Sequence, residues 1–433
     1  MNGPYDAVVV GAGFAGITAA RDLVDRGRSV VILEAGPRIG GRTYARPFAG
    51  REDLMAELGG SWVNRDLQPG IRREIQRYGI ALAEDVAPGS AAFITDGVLR
   101  SFPVPGSEIG DLERIVGHLR DASKRIAPSQ RLSSQPIRDL DVSVDEFIAP
   151  LDLGPATRDL LYATIAWYTG ADPREASMLS FIAQTAGFGH SPYGFASALT
   201  ERFVGGAGTL LDSMVDQSRL EIRLHHHVAR IEQTAAGVTV RTRDGQSVEA
   251  RSCVVAAPTN VLRHIDFSPG LSDEKRNFLA ANHQGRAYKP SMVVRNVPPR
   301  PFALGMGALQ AICLGHEFAD GSSLLKGFGG EGAAKLDPTN REQVEAAVRE
   351  YYPDAEVLAV DAHDWNTDPL FDGTHRIDRP GQAYDFLRAM NEPEDRVVFA
   401  GTDVDDSVWR TWMEGAVNSG YRAADGVSVI LGR

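Results

Sequence analysis

The sequence predicts an α/β fold in which a parallel sheet carries inserted structure, and three observations predict it. A continuous apolar run, Tyr5–Val10, leads directly into a glycine-rich turn and an amphipathic helical segment. Alternating apolar and polar residues over 227–258 indicate antiparallel strands that form a β-meander. A second strand–turn–helix pattern, Phe399–Gly420, lies near the far end. The chain has 433 residues, which is too long for one ordinary core.

The first turn has the spacing of a dinucleotide-binding fingerprint. It reads GAGFAG, with glycines at positions 11, 13 and 16. Gly11 permits the tight turn, Gly13 lets the backbone approach a pyrophosphate, and Gly16 lets the helix pack against the strand. The next strand ends in Glu34, where an acid binds a ribose hydroxyl and disfavours a 2′-phosphate. The pattern predicts a Rossmann-type site with phosphate at the helix N-terminus, and it leaves NAD and FAD open.

Two glycine pairs after this unit favour a flavin dinucleotide. The segment GPRIGGRTY holds one pair between Arg38 and Arg42, and ELGGSWV, Glu57–Val63, holds the other. Arginine forks suit a pyrophosphate, and paired glycines let the backbone come close to a ligand. A nicotinamide dehydrogenase has no reason to repeat such pairs, whereas an extended FAD crosses several loops. The sequence therefore predicts FAD.

Composition argues against several classes of protein. The net charge of −12 would repel the phosphates of nucleic acid. The hydrophobic and charged fractions, 43% and 24%, are those of a soluble globular protein. The two cysteines, Cys253 and Cys313, cannot build a disulfide framework, which favours a reducing compartment. Because no apolar run reaches membrane-spanning length and the first strand leaves no room for a signal peptide, we expect a cytoplasmic protein without a membrane partner.

The motifs together resemble those of the flavin amine oxidases, the family of monoamine, polyamine, L-amino-acid and bacterial hydroxynicotine oxidases. The resemblance covers nearly the whole chain and rests on VVVGAGFAGITAARDL, LEAGPRIGGRTY, ELGGSWV, FVGGAGTLLDSM, CVVAAPTNVL and FAGTDV with WMEGAVNSGYRAA. FPVPGSE and DWNTDPLFDG make it strongest to the hydroxynicotine oxidase branch. The resemblance implies a Rossmann-type FAD-binding domain, with a parallel sheet and a β-meander, and an inserted α+β substrate domain.

The resemblance also implies a set of FAD-binding residues. Asp403 would meet the ribityl or pyrophosphate region, and the helix that begins near Met413 would direct its N-terminus at the flavin ring, where it stabilises negative charge. Val228 would contact the adenine through its backbone, and Trp365 would pack beside the flavin. The predicted cofactor-binding residues are Gly11, Gly13, Phe14, Ala15, Gly16, Glu34, Ala35, Arg38, Gly41, Arg42, Gly59, Gly60, Ser61, Trp62, Val228, Trp365, Gly401, Thr402, Asp403 and Met413.

The expected domains are both discontinuous. The FAD domain takes residues 1–85, 205–282 and 393–433, and the substrate domain takes residues 86–204 and 283–392. The first insert reads as mostly helical after Pro105. The second is mixed, with a strand around KPSMVVRNV and a helix at NREQVEAAVREYY.

Four residues are candidates for the chemistry. Lys289 matches the family's lysine near flavin N5, which holds a water used in reoxidation. Trp412 matches one of two aromatic side chains that frame the substrate, and the other position maps to Thr374 or, preferably, His375. A histidine there departs from the usual aromatic pair. It could act as a flat wall, or it could accept or donate a hydrogen bond and titrate near neutral pH. Trp167 falls where nicotine-type relatives recognise the substrate, although a core position in its helix is the alternative.

Further side chains complete the predicted site. Phe188 and His190 are expected at the cavity entrance. The run His225–His227 looks like a metal cluster, but consecutive strand residues point to opposite faces, so we interpret it as a solvated strand edge and predict no metal site. No cysteine falls between DWNTDP and GTHR, where covalent-flavin relatives attach FAD. Non-covalent FAD is therefore predicted.

These features predict an FAD-dependent amine oxidase. Hydride leaves the carbon next to a neutral primary or secondary amine for flavin N5, the imine is hydrolysed, and O₂ is reduced to H₂O₂. Lys289 serves reoxidation, while Trp412 and His375 orient the amine. Three alternatives remain. An L-amino-acid oxidase would need an arginine to bind the substrate carboxylate, and none can be assigned. The other two are a flavin dehydrogenase or desaturase that uses another electron acceptor, and a non-catalytic flavoprotein. The expected partners are a small amine and O₂, with a homodimer left open.

Overall fold

Two large β-sheets organise the protein in the computed structural model, which describes residues 4–330 and 336–432. The strands are β1 Tyr5–Val10, β2 Val30–Leu33, β3 Ala45–Phe48, β4 Arg51–Glu57, β5 Trp62–Val63, β6 Leu82–Glu84, β7 Ser90–Thr95, β8 Val98–Arg100, β9 Glu201–Phe203, β10 Glu221–Arg223, β11 Val228–Gln233, β12 Val238–Thr242, β13 Ser247–Val255, β14 Asp266–Ser268, β15 Ser291–Arg295, β16 Pro301–Gly305, β17 Ala311–Glu317, β18 Ser323–Phe328, β19 Glu356–Asp361 and β20 Val397–Phe399. The helices are α1 Phe14–Asp25, α2 Pro69–Tyr78, α3 Ile109–Ser123, α4 Val144–Ile148, α5 Pro155–Thr169, α6 Met178–Gly187, α7 Gly194–Ser197, α8 Gly208–Ser218, α9 Asp273–Ala280, α10 Arg341–Arg349, α11 Ala383–Asn391 and α12 Met413–Ile430.

The first sheet has eight strands in the order β10-β2-β1-β13-β12-β11-β14, with β20 also paired to β13. Strands β10, β2, β1, β13 and β20 run parallel, whereas β11, β12 and β13 form an antiparallel meander. Strand β13 belongs to both parts, because its first half pairs with β12 and its second half with β1 and β20. The predicted combination of a parallel sheet and a β-meander is confirmed.

The continuous apolar runs of the parallel strands reflect burial on both faces. In β1, Val8 and Val10 pack into one core cluster, while Ala7 and Val9 pack into the cluster on the opposite face. All four are at most 5% exposed. Alternate side chains of a strand point to opposite faces, so a strand covered on both sides must be apolar at every position.

Helices α1, α2 and α12 are joined on one face of this sheet by a buried polar cluster. The guanidinium of Arg21 in α1 donates to the Glu74 carboxylate of α2 over 2.7 Å, and the Tyr421 hydroxyl of α12 donates to the same oxygen. Arg21 and Glu74 are 2% and 0% exposed. A buried charge is tolerated only when it is paired, so this cluster fixes the C-terminal helix beside the first one.

The second sheet has seven strands in the order β19-β15-β18-β17-β16-β7-β8. It draws on both predicted inserts, since β7 and β8 come from the first and the other strands from the second. The helices expected after Pro105 are present as α3 to α7, and the expected strand and helix of the second insert are β15 and α10. The hairpin β3–β4 packs against this sheet, with Phe48 and Ala56 in one cluster with Val293 and Leu324.

The structure agrees with the expected class, an α/β core with an inserted α+β part. Residues 1–3, 331–335 and 433 lie outside the described residues, and the exact domain boundaries stay a prediction. Among the helices of the described ranges, none is both long and apolar enough to cross a membrane.

Candidate active site

A cavity of about 370 Å³ lies between the carboxyl ends of the parallel strands and the second sheet. Its wall includes Val10 and Leu33, which end β1 and β2, and Ala256, which follows β13. On the other side it includes Lys289, just before β15, and Phe328, which ends β18. Open α/β sheets bind ligands outside the carboxyl ends of their strands, so this cavity is the candidate active site.

Most of the residues predicted as catalytic or cofactor-binding line this cavity, and three of them do not. Those that line it are Gly11, Gly13, Phe14, Ala15, Glu34, Ala35, Gly41, Arg42, Gly59, Gly60, Ser61, Trp62, Trp167, Val228, Lys289, Trp365, His375, Gly401, Thr402, Trp412 and Met413. The other three, Gly16, Arg38 and Asp403, are absent from the cavity wall. The side chain of Arg38 instead stacks on the Tyr44 ring at 3.8 Å and donates to the carbonyl of Gly41.

The first turn has the geometry of a pyrophosphate cradle. Gly11 has φ +103°, and a Cβ there would lie 2.9 Å from the carbonyl oxygen of Ala256. Only glycine tolerates both the left-handed backbone and this approach. Helix α1 then begins at Phe14 with no side chain capping its N-terminus. Its free N–H groups and its dipole therefore face the cavity and suit an anion.

Glu34 is held rigidly at the end of β2. One carboxylate oxygen accepts from the backbone N–H of Ala12 at 2.8 Å, and the other accepts from Gly36 at 2.7 Å. Each carboxylate oxygen can accept a second hydrogen bond. The carboxylate is therefore fixed in place and still able to accept from a ribose hydroxyl, which fits the predicted role.

The two glycine pairs belong to loops that cross each other at Arg42. The N–H of Gly60 donates to the Arg42 carbonyl at 3.2 Å, and a Cβ on Gly59 would lie 2.1 Å from that same oxygen. The repeated Gly-Gly therefore has a structural cause in this close backbone crossing, in addition to any contact with a ligand. Both loops line the cavity, so the crossing places them side by side along its wall.

Asp403 holds Arg42 from behind the wall. Its carboxylate accepts from the Arg42 guanidinium at 2.8 Å and from the backbone N–H groups of Thr259 and Arg376. Although burial alone would raise it, the pKa of Asp403 is held well below its usual range, chiefly by Arg42. Arg42 also donates to the Thr374 carbonyl at 2.6 Å. The acid of the C-terminal turn thus orients a cavity-lining arginine, and its predicted direct contact with FAD stays a prediction.

The C-terminal turn presents the start of α12 to the cavity. Gly401 and Thr402 line the wall, and the Thr402 hydroxyl donates to the Trp412 carbonyl at 2.8 Å. Met413 is the first residue of α12 and also lines the cavity. The positive end of the helix dipole therefore points at the cavity, where it favours negative charge on a ligand.

Lys289 is buried in the wall and lies against aromatic rings. Its ammonium group donates to the Gly59 carbonyl at 2.7 Å and to the Ser61 hydroxyl. It lies 5.2 Å from the ring centroid of Trp62 and 5.5 Å from that of Phe328. Burial, followed by the positive charge of Lys326, lowers the pKa of Lys289 to about 7. Near neutral pH this side chain is therefore poised between its charged and neutral forms.

Aromatic side chains enclose the end of the cavity next to Lys289. Successive rings touch from Trp62 through Phe328, Trp167 and Phe195 to Trp412. Tyr168 packs against Phe195, and His375 packs against Tyr168, and all these centroid separations run from 5.1 to 6.5 Å. We call these seven residues the aromatic enclosure. Every one of them lines the cavity. The predicted residues Trp167, Trp412 and His375 are therefore brought together.

His375 is a neutral side chain in this setting. Its Nε2 lies 3.2 Å from the carbonyl oxygen of Tyr168, which can only accept, so Nε2 carries the proton and Nδ1 is the acceptor. Burial, with the charge of Arg42 second, lowers the pKa of His375 to about 4. Of the two roles predicted for it, titration near neutral pH is wrong, because a cationic imidazole would be desolvated here, and the ring forms part of the cavity wall. Thr374, its alternative, also lines the cavity.

Three other sequence expectations are wrong. Phe188 and His190 do not line the cavity. Phe188 is 5% exposed and packs against Trp409 and Trp412 behind the cavity wall. His190 lies near the Ser123 hydroxyl. His225–His227 is not a strand edge, because it forms the connection between β10 and β11. Its last two members line the cavity next to Val228, and burial lowers the pKa of the third histidine.

Several residues of the site escaped sequence reasoning. Phe195 and Phe328 complete the enclosure, and Gln184 in α6 accepts from the indole N–H of Trp412 at 2.7 Å. Lys326 and Glu57 form a buried ion pair of 2.7 Å beside Trp62. The sequence contains only a weak indication of these residues. Lys326 interrupts the apolar strand SLLKGF, which marks a charge that needs a partner, but the identity of the partner is not encoded locally.

Comparison with known proteins gives a consistent answer. Residues 14–428 match the family described as flavin containing amine oxidoreductase. The chain is 34% identical over 425 residues to (S)-6-hydroxynicotine oxidase of Paenarthrobacter nicotinovorans, covering 98% of this chain and 99% of that protein. It is 30% identical over 440 residues to nicotine dehydrogenase of Pseudomonas putida, covering 99% and 89%.

Solved structures agree in fold. A triple mutant of putrescine oxidase superposes with a TM-score of 0.88 at 22% identity, covering 98% of this chain and 99% of that one. The glycine cradle, the free helix N-terminus and the fixed carboxylate of Glu34 fit an FAD dinucleotide. The chain therefore belongs to the flavin-containing amine oxidoreductases, and it is an FAD-dependent enzyme.

Proposed function

We propose that the protein oxidises an apolar, ring-bearing primary or secondary amine that carries no second charge. The observation that carries this proposal is the aromatic enclosure, which faces Lys289 and contains neither a carboxylate nor an arginine. Along the cavity wall of the described residues the one carboxylate is Glu34, and the arginines are Arg42 and Arg243. Glu34 is already held by Ala12 and Gly36, at the dinucleotide turn.

The aromatic enclosure contains no carboxylate and no arginine, and this supports the exclusion of two related classes of substrate, amino acids and diamines. An amino acid would bring a carboxylate into the enclosure, where no arginine is available to pair with it. A diamine would bring a second ammonium, and no acid there could compensate its desolvation. A single amine next to an apolar ring buries only apolar surface and one polar nitrogen, which suits these walls.

The enclosure also supplies the groups that a reacting amine needs. The unprotonated Nδ1 of His375 has no hydrogen-bond partner among the described residues and can accept from an amine N–H. The flat rings of Trp412 and Trp167 restrict the orientation of the substrate and exclude water from it. Because no carboxylate pairs with an ammonium here, the neutral amine, the form able to lose hydride, is favoured over the charged one.

FAD held by the turn at Gly11 and Gly13, by Glu34 and by the N-terminus of α12 would supply a two-electron acceptor at N5, with O₂ as the final acceptor that is reduced to H₂O₂. The substrate loses a hydride from carbon and a proton from nitrogen, and the resulting imine is hydrolysed to a carbonyl compound. Lys289 sits in the wall with its Nζ held by the Gly59 carbonyl and the Ser61 hydroxyl. In this proposal its amine hydrogen-bonds a water that takes part in reoxidation.

A dehydrogenase that passes electrons to another acceptor is the second candidate. It is favoured by the similarity to a relative named nicotine dehydrogenase. The similarity to an oxidase over an equally large part of the chain favours O₂. The possible homodimer and the cytoplasmic location stay predictions of the sequence.

Anaerobic reduction with matched amines tests the proposal. The flavin absorbance of the purified holoenzyme is followed after mixing with phenethylamine and, separately, with phenylalanine, which differs from it by the carboxylate. Cyclohexylamine and 1,4-diaminocyclohexane form a second pair, in which both members carry a ring and differ by one charge. Bleaching by the singly charged member of each pair, and not by its partner, is the expected result. Equal bleaching within both pairs, or no bleaching by any amine, would refute the assignment.

Air is then admitted while peroxide is measured. Rapid return of the flavin absorbance with stoichiometric peroxide is expected for an oxidase. Slow return, over many minutes, together with fast reoxidation by an artificial quinone, would assign the protein as a dehydrogenase.

A further inference from the structure

Two buried lysines lie against the same indole ring. The Nζ atoms of Lys289 and Lys326 are 5.2 and 4.6 Å from the ring centroid of Trp62. They are 8% and 4% exposed. The chain holds five lysines among its 45 basic residues, and lysine is seldom buried unless it is paired. The burial of two lysines beside the same cavity wall therefore needs a specific physical explanation.

Strand register places these side chains on one face of the second sheet. Lys326 in β18 lies opposite Ser291 in β15 and opposite Cys313 in β17. Lys289 precedes Ser291 by two positions, and Phe328 follows Lys326 by two, so alternation puts them all on the same face. The hairpin β3–β4 packs on this face, and its last residue, Glu57, reaches Lys326.

The ion pair is fully enclosed. Nζ of Lys326 lies 2.7 Å from Oε2 of Glu57, and Glu57 is 8% exposed. The second carboxylate oxygen of Glu57 has no partner among the described residues. A buried pair of this kind often adds no more stability than apolar residues of the same volume would. The presence of this buried ion pair is therefore not explained by stability alone.

Four titratable groups from other elements act on Lys289. Lys326 on β18 opposes its protonation, and Glu57 on β4, Cys313 on β17 and Asp85 after β6 favour it. Burial raises the pKa of the Cys313 thiol to about 12, so this group is neutral. Asp85 accepts from the Trp62 indole N–H at 2.7 Å and from Arg202 at 2.5 Å, so its charge is already shared. Besides burial itself, Lys326 is the strongest influence on Lys289.

We propose that Lys326, fixed by Glu57, is a positioning residue that repels a proton from the Lys289 amine and so increases the fraction of that amine that is neutral and able to accept a hydrogen bond at the cavity wall. The role assigned to Lys289 in reoxidation rests on the proposed function, but its protonation state does not. The two lysines then have different roles. Lys326 pairs with the Glu57 carboxylate, and Lys289 offers the neutral nitrogen.

The test follows the Lys289 side chain directly. The FAD-loaded protein without any amine is labelled with [ε-¹³C]lysine, and the five signals are titrated by NMR, with Lys289 assigned from Lys289→Arg. In the wild-type protein the Lys289 signal is expected to titrate near pH 7. Lys326→Met should raise this midpoint by about one pH unit or more, because it removes the like charge and leaves the Glu57 carboxylate. Glu57→Gln/Lys326→Met should raise it by less, since the opposite charge is also removed.

Controls separate this effect from a general loss of packing. Lys275→Met removes another buried lysine, which pairs with Glu394 at 2.7 Å away from the cavity wall, and it should leave the Lys289 midpoint unchanged. Lys326→Arg keeps the cation and should restore a midpoint near that of the wild type. An unchanged midpoint in the doubly substituted protein, with bound FAD and a native circular dichroism spectrum, would overturn the proposal. This double variant decides the matter if Lys326→Met alone does not fold, because it leaves no unpaired buried charge.

A kinetic readout connects the inference to the site. The flavin is reduced with dithionite, mixed with O₂, and its reoxidation is measured against pH. The midpoint of this profile should move with the NMR midpoint of Lys289 in each variant. Since no amine substrate is used, this measurement holds even if no amine reduces the flavin. In that case the proposed substrate class is refuted, and the measurement still tests the role of Lys326.

Discussion

The indole N–H of Trp412 donates a 2.7 Å hydrogen bond to the amide oxygen of Gln184, a residue 228 positions earlier in the chain. Gln184 is 3% exposed, and its amide nitrogen donates to the Arg410 carbonyl and to the Thr411 hydroxyl. Thr411 has φ +74°, which is unusual for a β-branched residue. Strain of this kind persists only where surrounding contacts hold it. Gln184 therefore fixes the orientation of a wall of the aromatic enclosure.

Gln184→Met keeps the volume of this side chain and removes the acceptor. We expect kcat/KM for a ring-bearing amine to fall about fivefold to tenfold, since the hydrogen bond from Trp412, worth about 1 kcal/mol, is lost and Trp412 can rotate. The two hydrogen bonds from the Gln184 amide nitrogen to Arg410 and Thr411 are lost as well. FAD content should not change. Gln135→Met removes a buried glutamine that bonds the Ala127 carbonyl away from the cavity wall, and it serves as the control. Equal losses in both variants would assign the effect to general destabilisation.

Lys289→Met should slow reoxidation of the flavin by O₂ about a hundredfold while amine binding changes little. The folded pKa of Lys289 is lowered to about 7, so its neutral fraction rises as the pH rises through this value. The reoxidation rate of the wild-type protein should therefore rise through a midpoint near pH 7, and the variant should lose this step. Stopped-flow measurements at a series of pH values check both. Loss of the flavin from the variant would mean that the residue has been placed wrongly.

His375→Ala should alter the preference among amines without releasing FAD. The side chain belongs to the enclosure and is held by its hydrogen bond to the Tyr168 carbonyl. Because the pKa of His375 is lowered to about 4, it stays neutral from about pH 5.5 upward. His375→Asn, which keeps a donor, should therefore show the same pH dependence of flavin reduction as the wild type. A wild-type break near pH 6.5 that is missing in His375→Asn would contradict this.

Asp403→Asn should destabilise the protein by about 3 kcal/mol, because it leaves the Arg42 guanidinium without its buried partner. The folded pKa of Asp403 is lower than its ordinary value of 3.8, so the stabilisation from its charge is complete above that value and is lost as the pH falls below it. The difference in unfolding free energy between wild type and variant should be constant above about pH 5 and shrink in more acidic solution. Urea unfolding at several pH values measures it.

FAD should leave the protein on denaturation. Cys253 and Cys313 are buried on β13 and β17, and neither lines the cavity. Burial raises the pKa of both thiols, so neither presents a thiolate. After acid precipitation the yellow colour should remain in the supernatant, and the washed protein should show no flavin fluorescence on a denaturing gel. Fluorescence of the protein band would show a covalent link.

The sequence by itself determined the nucleotide-binding half of this protein. The run Tyr5–Val10, the glycines of the first turn and Glu34 are local signals, since backbone strain and strand burial act on neighbouring residues. The meander and the C-terminal turn followed from periodicity in the same way. These signals predicted the parallel sheet and most of the residues that line its end of the cavity.

The tertiary structure alone decided how the predicted residues behave. The partner of Lys326 is 269 positions away, and the neutrality of His375 depends on burial and on Arg42. Asp403 holds Arg42 behind the wall, which its motif did not reveal. The interpretation of His225–His227 as a strand edge is wrong because alternation applies only within strands, and these residues connect β10 to β11. Hydrogen bonding, desolvation and charge act through space, so they depend on which segments fold together rather than on the order of residues along the chain.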